Sequence, residues 1–336
     1  MAANAFVLTS AIHQQVRRTI RRYGLCPSGS RVLVGVSGGS DSVALALILR
    51  ELATHGEFTV VALAHLNHRL RASASRDEAF TRSLAERFTL PILVEACDVG
   101  AEAAAQRRSI EDTARRVRYA FLERAADAVG ADRIAVGHTQ DDQAETLLLK
   151  LMRGAGSTGL GGIYPRRGNV IRPLLDVSRD DLRSLLRSQG QAWVDDESND
   201  DLENPRNRLR HVVIPELDRT AGGATRPALA RAAELVREDG QWLDEVSRQR
   251  FDALATDTQN GVEFDARLLK VEPAPVLRRL LLTALRRHAG LREVGLEHVE
   301  SVLALLDGSG GGVDVPGGRV ELLRGKLVLI EKGGSK

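Results

Sequence analysis

The 336-residue chain has almost no lysine. Lysine stands only at positions 150, 270, 326, 332 and 336, so 42 of the 47 basic residues are arginine. That excludes one familiar phosphate loop. A GxxxxGK(S/T) motif needs a lysine, and none precedes position 150. Cysteine is scarce as well. Cys26 and Cys97 form neither a CxxC pair nor a zinc spacing, so a reduced, cytosolic setting is expected. Aromatic residues make up 4% of the chain, too few for a surface of base-stacking rings. No apolar run has the length of a membrane span. The first 22 residues are amphipathic and end in Arg17, Arg18, Arg21 and Arg22, which is no signal-peptide pattern. Charge of one sign is also missing: the net charge is +2, so bulk electrostatics demand no nucleic-acid partner. Arginine suits bidentate phosphate contacts, although codon bias accounts equally well for most of it.

What is present is enough for a packed, soluble, multi-domain chain: 43% hydrophobic and 27% charged residues. Short apolar runs at 32–36, 59–66, 91–96 and 133–136 read as buried strands. They alternate with amphipathic stretches at 42–52, 76–88, 110–128 and 141–151. That alternation predicts an α/β fold, a Rossmann-like doubly wound parallel sheet, with ligands beyond the carboxyl ends of its strands. Residues 1–215 are assigned to this domain and 216–254 to a helical connector. Residues 255–336 are assigned to a small α+β domain with helices at 276–288 and 296–306 and a closing hairpin. The connector leaves self-pairing open, so a homodimer stands among the expected partners.

Polar clusters fall at the expected strand ends. Ser37-Gly38-Gly39-Ser40-Asp41-Ser42 follows the first strand and opens a helix. Turn N–H groups, two glycines and a helix N-terminus make an anion site there. Without a P-loop lysine, the site suits pyrophosphate as a leaving group, with Asp41 placed to hold a bridging metal. His65 and His68, with Arg69 and Arg71, follow the second strand. A solvated loop is the ordinary alternative for each. His138, Asp141, Asp142 and Glu145 follow the fourth. Acids three and four apart share a helix face. They exceed what helix capping needs, so a metal or a cationic substrate is expected. Glu111, Arg115 and Arg118 lie on one helical stripe, where an intrahelical salt bridge competes with a role at the site. Residues 195–210 carry acids and then Arg206, Arg208 and Arg210. A charge run is usually a solvated face, but the defined turn Asn204-Pro205-Arg206-Asn207 also allows ordered contact with a phosphate backbone.

Taken together, SGGSDS, HLNHRLR, EDTARRVRY, GHTQDDQAETLLLKLMRGAGSTGLGGI, RPLLDVSRDDL and DDESNDDLENPRNRLR resemble the N-type ATP pyrophosphatases of the PP-loop family. Within them the ordered set is most similar to the tRNA(Ile)-lysidine synthase family, over roughly residues 30 to 212. The match weakens beyond about residue 250. Two departures stand out. Thr139 replaces the family's second histidine, and Pro205 stands where Tyr or Thr is common. The resemblance implies an ATP- and Mg2+-dependent ligase. The wobble cytidine of tRNA(Ile) with anticodon CAU would be adenylated, and L-lysine would then displace AMP. By the same resemblance Ser37 to Ser42, His65 and His138 bind ATP, and Asp41 binds the metal. Asp142 and Glu145 bind lysine. Arg115 or Arg118 steadies the adenylate or the tRNA, and Arg206, Arg208 and Arg210 meet tRNA. A tRNA base thiolase and a non-catalytic nucleotide-binding regulator are the rival readings.

Overall fold

The computed structural model describes residues 10–69, 74–195, 201–259, 261–289, 294–308 and 311–331. Arg71 and residues 196–200 of the clusters above lie outside them. The chain divides into two compact units, Met1–Leu235 and Val236–Lys336.

In chain order the first unit runs α1 (Ala11–Arg22), β1 (Ser30–Gly35), α2 (Ser40–Ala53), β2 (Phe58–Asn67), α3 (Ala74–Phe88) and β3 (Ile92–Ala96). It continues with α4 (Val99–Gln106), α5 (Ile110–Val129), β4 (Arg133–Ala135), α6 (Gln140–Met152) and α7 (Ser157–Leu160). Then come β5 (Arg166–Arg167), β6 (Val170–Ile171), α8 (Arg179–Ser188), α9 (Pro205–Arg208), a π-helical turn (Leu209–Val213) and α10 (Ile214–Ala221). The sheet order is β3-β2-β1-β4-β6-β5. All pairings are parallel except the β5–β6 hairpin. The chain winds outward from β1 through β2 to β3, then returns to start the other half at β4. The β1/β4 gap is therefore the topological switch point, where open α/β sheets bind ligands.

Both faces of the sheet are covered, which is why its strands read as near-continuous apolar runs. Val32 and Val34 point toward Val43, Ile48 and Leu49 of α2; Leu33 and Ile134 point toward Phe121, Leu122 and Ala125 of α5. Each such aliphatic side chain, fully buried, contributes about 2 kcal/mol of transfer free energy. Strand β2 changes phase midway. Val32 pairs with Val60 but Leu33 with Ala62, so one extra residue in β2 swaps which of its side chains face each side.

The sequence reading missed several short elements. The basic turn 166–168 is the tip of the β5–β6 hairpin, and the glycine-rich loop 153–162 contains α7. Helix α11 (Thr225–Leu254) runs unbroken through Gly240, whose surroundings are open.

The second unit holds β7 (Thr256–Thr258), β8 (Gly261–Asp265), α12 (Ala266–Lys270), α13 (Ala274–Ala289), α14 (Leu296–Leu306), β9 (Gly312–Val315), β10 (Gly318–Leu323) and β11 (Lys326–Glu331). The expected closing strands join β8 and β7 in an antiparallel sheet ordered β7-β8-β11-β10-β9. Phe264, Val320 and Leu329 pack there with Leu280, Leu281 and Leu285 of α13. Among the described residues, no helix is long and apolar enough to cross a membrane.

Candidate active site at the carboxyl edge of the parallel sheet

Strand β1 ends at Gly35 and the chain turns into α2 through Ser37, Gly38 and Gly39. Gly38 sits at φ +96°, a conformation that a side chain resists. Ser42 organises the turn from inside. Its Oγ accepts from Ser37 N at 3.1 Å, donates to Gly39 O at 3.0 Å and lies 3.1 Å from Ser37 Oγ. These two serines therefore shape the loop. Gly39 is the N-cap and, having no side chain, makes no side-chain cap bond to the first N–H groups of α2. That is the condition for an anion there. Gly137, at the end of β4, presses on the same turn. A Cβ on it would lie 3.1 Å from Asp41 C and from Ser42 N.

Two histidines flank this turn. His65 Nδ1 lies 2.9 Å from Val36 O, while Nε2 is buried without a hydrogen-bond partner among the described residues. Burial pulls its pKa down, against that carbonyl contact and the nearby Glu78 and Asp77, which favours the uncharged ring. With Nδ1 donating to Val36, Nε2 presents a lone pair. His138 is also driven low, chiefly by burial, with Arg172, Arg118 and Arg206 adding to it and Asp142 opposing.

Helix α6 begins with a capping box. Thr139 is the N-cap, and Asp142 Oδ2 accepts from Thr139 N at 2.8 Å and from Thr139 Oγ1 at 3.0 Å. The threonine that departs from the family pattern thus anchors Asp142. The other oxygen, Oδ1, faces Arg179 Nη2 at 3.3 Å and Arg206 Nη2 at 3.6 Å. The carboxylate serves capping with one oxygen and charge chemistry with the other. Burial alone would raise its pKa. Arg179, His138, Arg206 and the Thr139 N–H outweigh that and hold it below the usual carboxylate range.

Arg179, the first residue of α8 after the Ser178 cap, collects the acids. Its Nε donates to Asp41 Oδ2 at 2.9 Å, and Nη1 lies 3.7 Å from Glu145 Oε1. Its backbone N–H donates to Asp141 Oδ2 at 2.8 Å. The side chain is only 12% exposed. Asp41 also accepts from Ser40 Oγ at 3.0 Å. Burial still pushes the Asp41 pKa up, with Arg179 opposing and Asp142 adding to the rise. Glu145 is covered by Arg206 Nε and Arg210 Nε, each at 2.7 Å. Asp141 instead pairs with Arg226 of α11 at 3.1 Å.

The structure separates the two arginines that the sequence left open. Arg115 is exposed, whereas Arg118 is half-buried and its Nε has no hydrogen-bond partner among the described residues. Burial lowers its pKa, as do Arg115, Arg172 and Arg206. Tyr119 lies under both, with centroid distances of 5.3 Å to Arg115 and 5.5 Å to Arg118. Arg172, just past β6 and 4% exposed, donates to Tyr164 O at 2.8 Å and lies 3.5 Å from Tyr119 Oη. Arg208 points elsewhere: it is exposed and donates to Leu202 O at 3.2 Å. Sequence reasoning on single residues missed Arg172 and Arg179. Their one signal was membership of the motif RPLLDVSRDDL.

A model of the PP-loop domain matches residues 8–217, which is the class that this turn and sheet define. Curated relatives narrow it. The tRNA(Ile)-lysidine synthase of Geobacter sulfurreducens is 39% identical over 91% of this chain and 66% of its own length. That of Thermosynechococcus vestitus is 33% identical over 91% of this chain and 88% of its own length. The chain belongs to the tRNA(Ile)-lysidine synthase family of PP-loop proteins. It spans 66%, 59% and 57% of the lengths of three such relatives. Among solved structures, the U34-tRNA thiolase NcsA from Methanococcus maripaludis shares the fold. It has a TM-score of 0.53 and 16% identity, over 68% of this chain and 78% of that one.

Proposed function

We propose that the chain is an ATP-dependent ligase that joins L-lysine to the wobble cytidine of an isoleucine tRNA with anticodon CAU. The products are lysidine, AMP and pyrophosphate. In the first step the cytidine C2 oxygen attacks the α-phosphate. A new P–O bond forms, the α–β bond breaks and pyrophosphate leaves. In the second, the lysine ε-ammonium gives a proton to water, the free amine bonds to C2, and AMP departs with the oxygen. One observation carries the reading: Asp41 from the first strand–helix turn and Asp142 and Glu145 from the fourth converge on the single guanidinium of Arg179. Three acids that share one guanidinium, beside an anion-binding turn, are what joining a cationic amine to a phosphate-activated base requires.

The roles follow from the surroundings. The turn from Ser37 to Ser42 holds the leaving pyrophosphate. The His65 Nε2 lone pair meets a donor on the nucleoside. Because Asp142 is held at low pKa, it acts as a counter-ion to the ammonium rather than as a base. Arg118 and Arg172 face the charge that develops on the α-phosphate. Mg2+ fits in one mode only. Among the described residues no group of three His, Cys, Asp or Glu side chains is placed to cage a metal. Mg2+ commonly takes one or two carboxylates and completes its shell with water and phosphate oxygens, and Asp41 beside the phosphate turn suits that. When bound, the ion neutralises phosphate charge.

The thiolase alternative needs a reactive thiolate. Cys26 lies between α1 and β1, at the amino edge of the sheet, and burial pushes its thiol up to about 12 against Arg133. Cys97 follows β3 and is also raised, by burial and by Glu102, Glu95 and Asp98. Neither suits sulfur delivery. The test is incorporation of labelled lysine into transcripts with ATP and Mg2+. Label should enter the isoleucine tRNA with anticodon CAU; no incorporation, or equal entry into methionine tRNA, refutes the proposal.

A further inference from the structure

Glu145 and the pair Arg206 and Arg210 have been given different ligands: the lysine amine for the acid, the tRNA backbone for the arginines. They also hold each other. Arg206 Nε and Arg210 Nε each lie 2.7 Å from a Glu145 oxygen, and Arg210 Nη2 makes a further contact at 3.1 Å. Glu145 is 1% exposed, whereas Arg206 and Arg210 are 30% and 18% exposed. A solvent-borne anion can therefore reach the arginines, while the acid lies beneath them. We infer that Arg206 and Arg210 form a reversible cover on Glu145, which an RNA phosphodiester backbone draws off, so that the ammonium substrate gains its acid only once that backbone is bound. This rests on the proposed function and adds the order and coupling of its two substrates.

The local structure is built for such an exchange. Asn204 caps α9 by accepting from Arg206 N at 2.8 Å, and Pro205 takes the first helical position, where no N–H is needed. Arg210 sits in the π-helical turn Leu209–Val213. Such turns are rare, less regular than an α-helix and frequent at functional sites. One end of the cover is pinned. Arg206 Nη2 also donates to Thr146 Oγ1 at 3.2 Å, and Arg226 Nη2 to Arg210 O at 3.5 Å. The Arg210 backbone can then stay while its guanidinium turns outward, and release of Arg206 also breaks its bond to Thr146. Phosphate is the ligand class that competes, because it takes the same bidentate guanidinium geometry as a carboxylate. Coupling of this kind is reciprocal: the ammonium must tighten the polyanion by the factor by which the polyanion tightens the ammonium.

Equilibrium dialysis of labelled lysine tests it, using the full chain and a non-hydrolysable ATP analogue, with and without isoleucine tRNA transcript. The wild-type chain should bind lysine about tenfold more tightly with transcript. Arg206→Gln with Arg210→Gln should bind lysine tightly without transcript, and transcript should change that affinity by less than about twofold. Glu145→Gln, read by transcript binding alone, should hold the transcript severalfold more tightly, because its arginines are then left with the longer contacts to Asp142, at 3.6 and 4.0 Å. A wild-type lysine affinity indifferent to transcript overturns the cover while leaving the ligase reading intact, and so does unchanged transcript affinity in Glu145→Gln. If the chain binds no lysine in either condition, the ligase reading falls and the cover with it.

Discussion

Replacing Arg179 by glutamine removes the one cation that, among the described residues, is shared by Asp41, Asp142 and Glu145. Their side chains are 20%, 13% and 1% exposed, so water screens them little. Removing one partner of a buried ion pair costs about 3–5 kcal/mol, because the other charge stays behind. Arg206 and Arg210 still face Asp142 and Glu145. The loss should then lie at the lower end, about 3 kcal/mol near neutral pH. The pH dependence follows from the two shifts. Asp142 has a depressed folded pKa, so it stabilises the fold above its unfolded value, roughly 4, and that contribution fades as pH falls through the folded value. Asp41 has a raised folded pKa, so it destabilises above its unfolded value and recovers as pH falls through the raised value. Without Arg179, both carboxyls move upward. The deficit of the variant should therefore be largest near neutral pH and shrink toward about pH 4. Urea unfolding reads it in a Trp242→Phe background, where Trp193 remains as reporter of the first unit. A deficit below about 1 kcal/mol, or one constant across that pH range, would refute the reasoning.

Two further substitutions probe the turn and the arginines. Gly137→Ala places a Cβ against the backbone of Asp41 and Ser42, which cannot move aside as a side-chain tip would. Pyrophosphate affinity should fall about tenfold with a stability loss of about 1–3 kcal/mol, read by calorimetric titration and melting; unchanged affinity would mean the turn tolerates displacement. Arg118→Gln should lower turnover about 100-fold, as loss of a charge donor at the site does, and exposed Arg115→Gln only severalfold; the reverse order would exchange their roles.

The anion turn was legible because its chemistry is local: strand, two glycines, helix. Even there the helix starts at Ser40 rather than Ser42, since Gly39 supplies the cap. Asp142 and Glu145 were legible from helical spacing. Arg172 and Arg179 were not, because only the sheet order brings the ends of β6 and α8 beside α6, and no periodicity encodes that. Strands β5 and β6 escaped because two residues each show no alternation. Strand β8 did alternate, with Val262 and Phe264 buried, and was overlooked beside the stronger hairpin that follows. The pairing of Arg206 and Arg210 with Glu145 was invisible in sequence for another reason. Each residue carried a plausible ligand of its own, and only geometry shows that they presently serve one another.

The central claim is that the glycine turn keeps pyrophosphate while the α-phosphate moves to the base. ATP labelled separately at the α- and γ-positions tests it most directly, with isoleucine tRNA and no lysine. The account expects α-label trapped on the tRNA as an adenylate and γ-label released as intact pyrophosphate. Release of γ-label as orthophosphate, with ADP left behind, would contradict it.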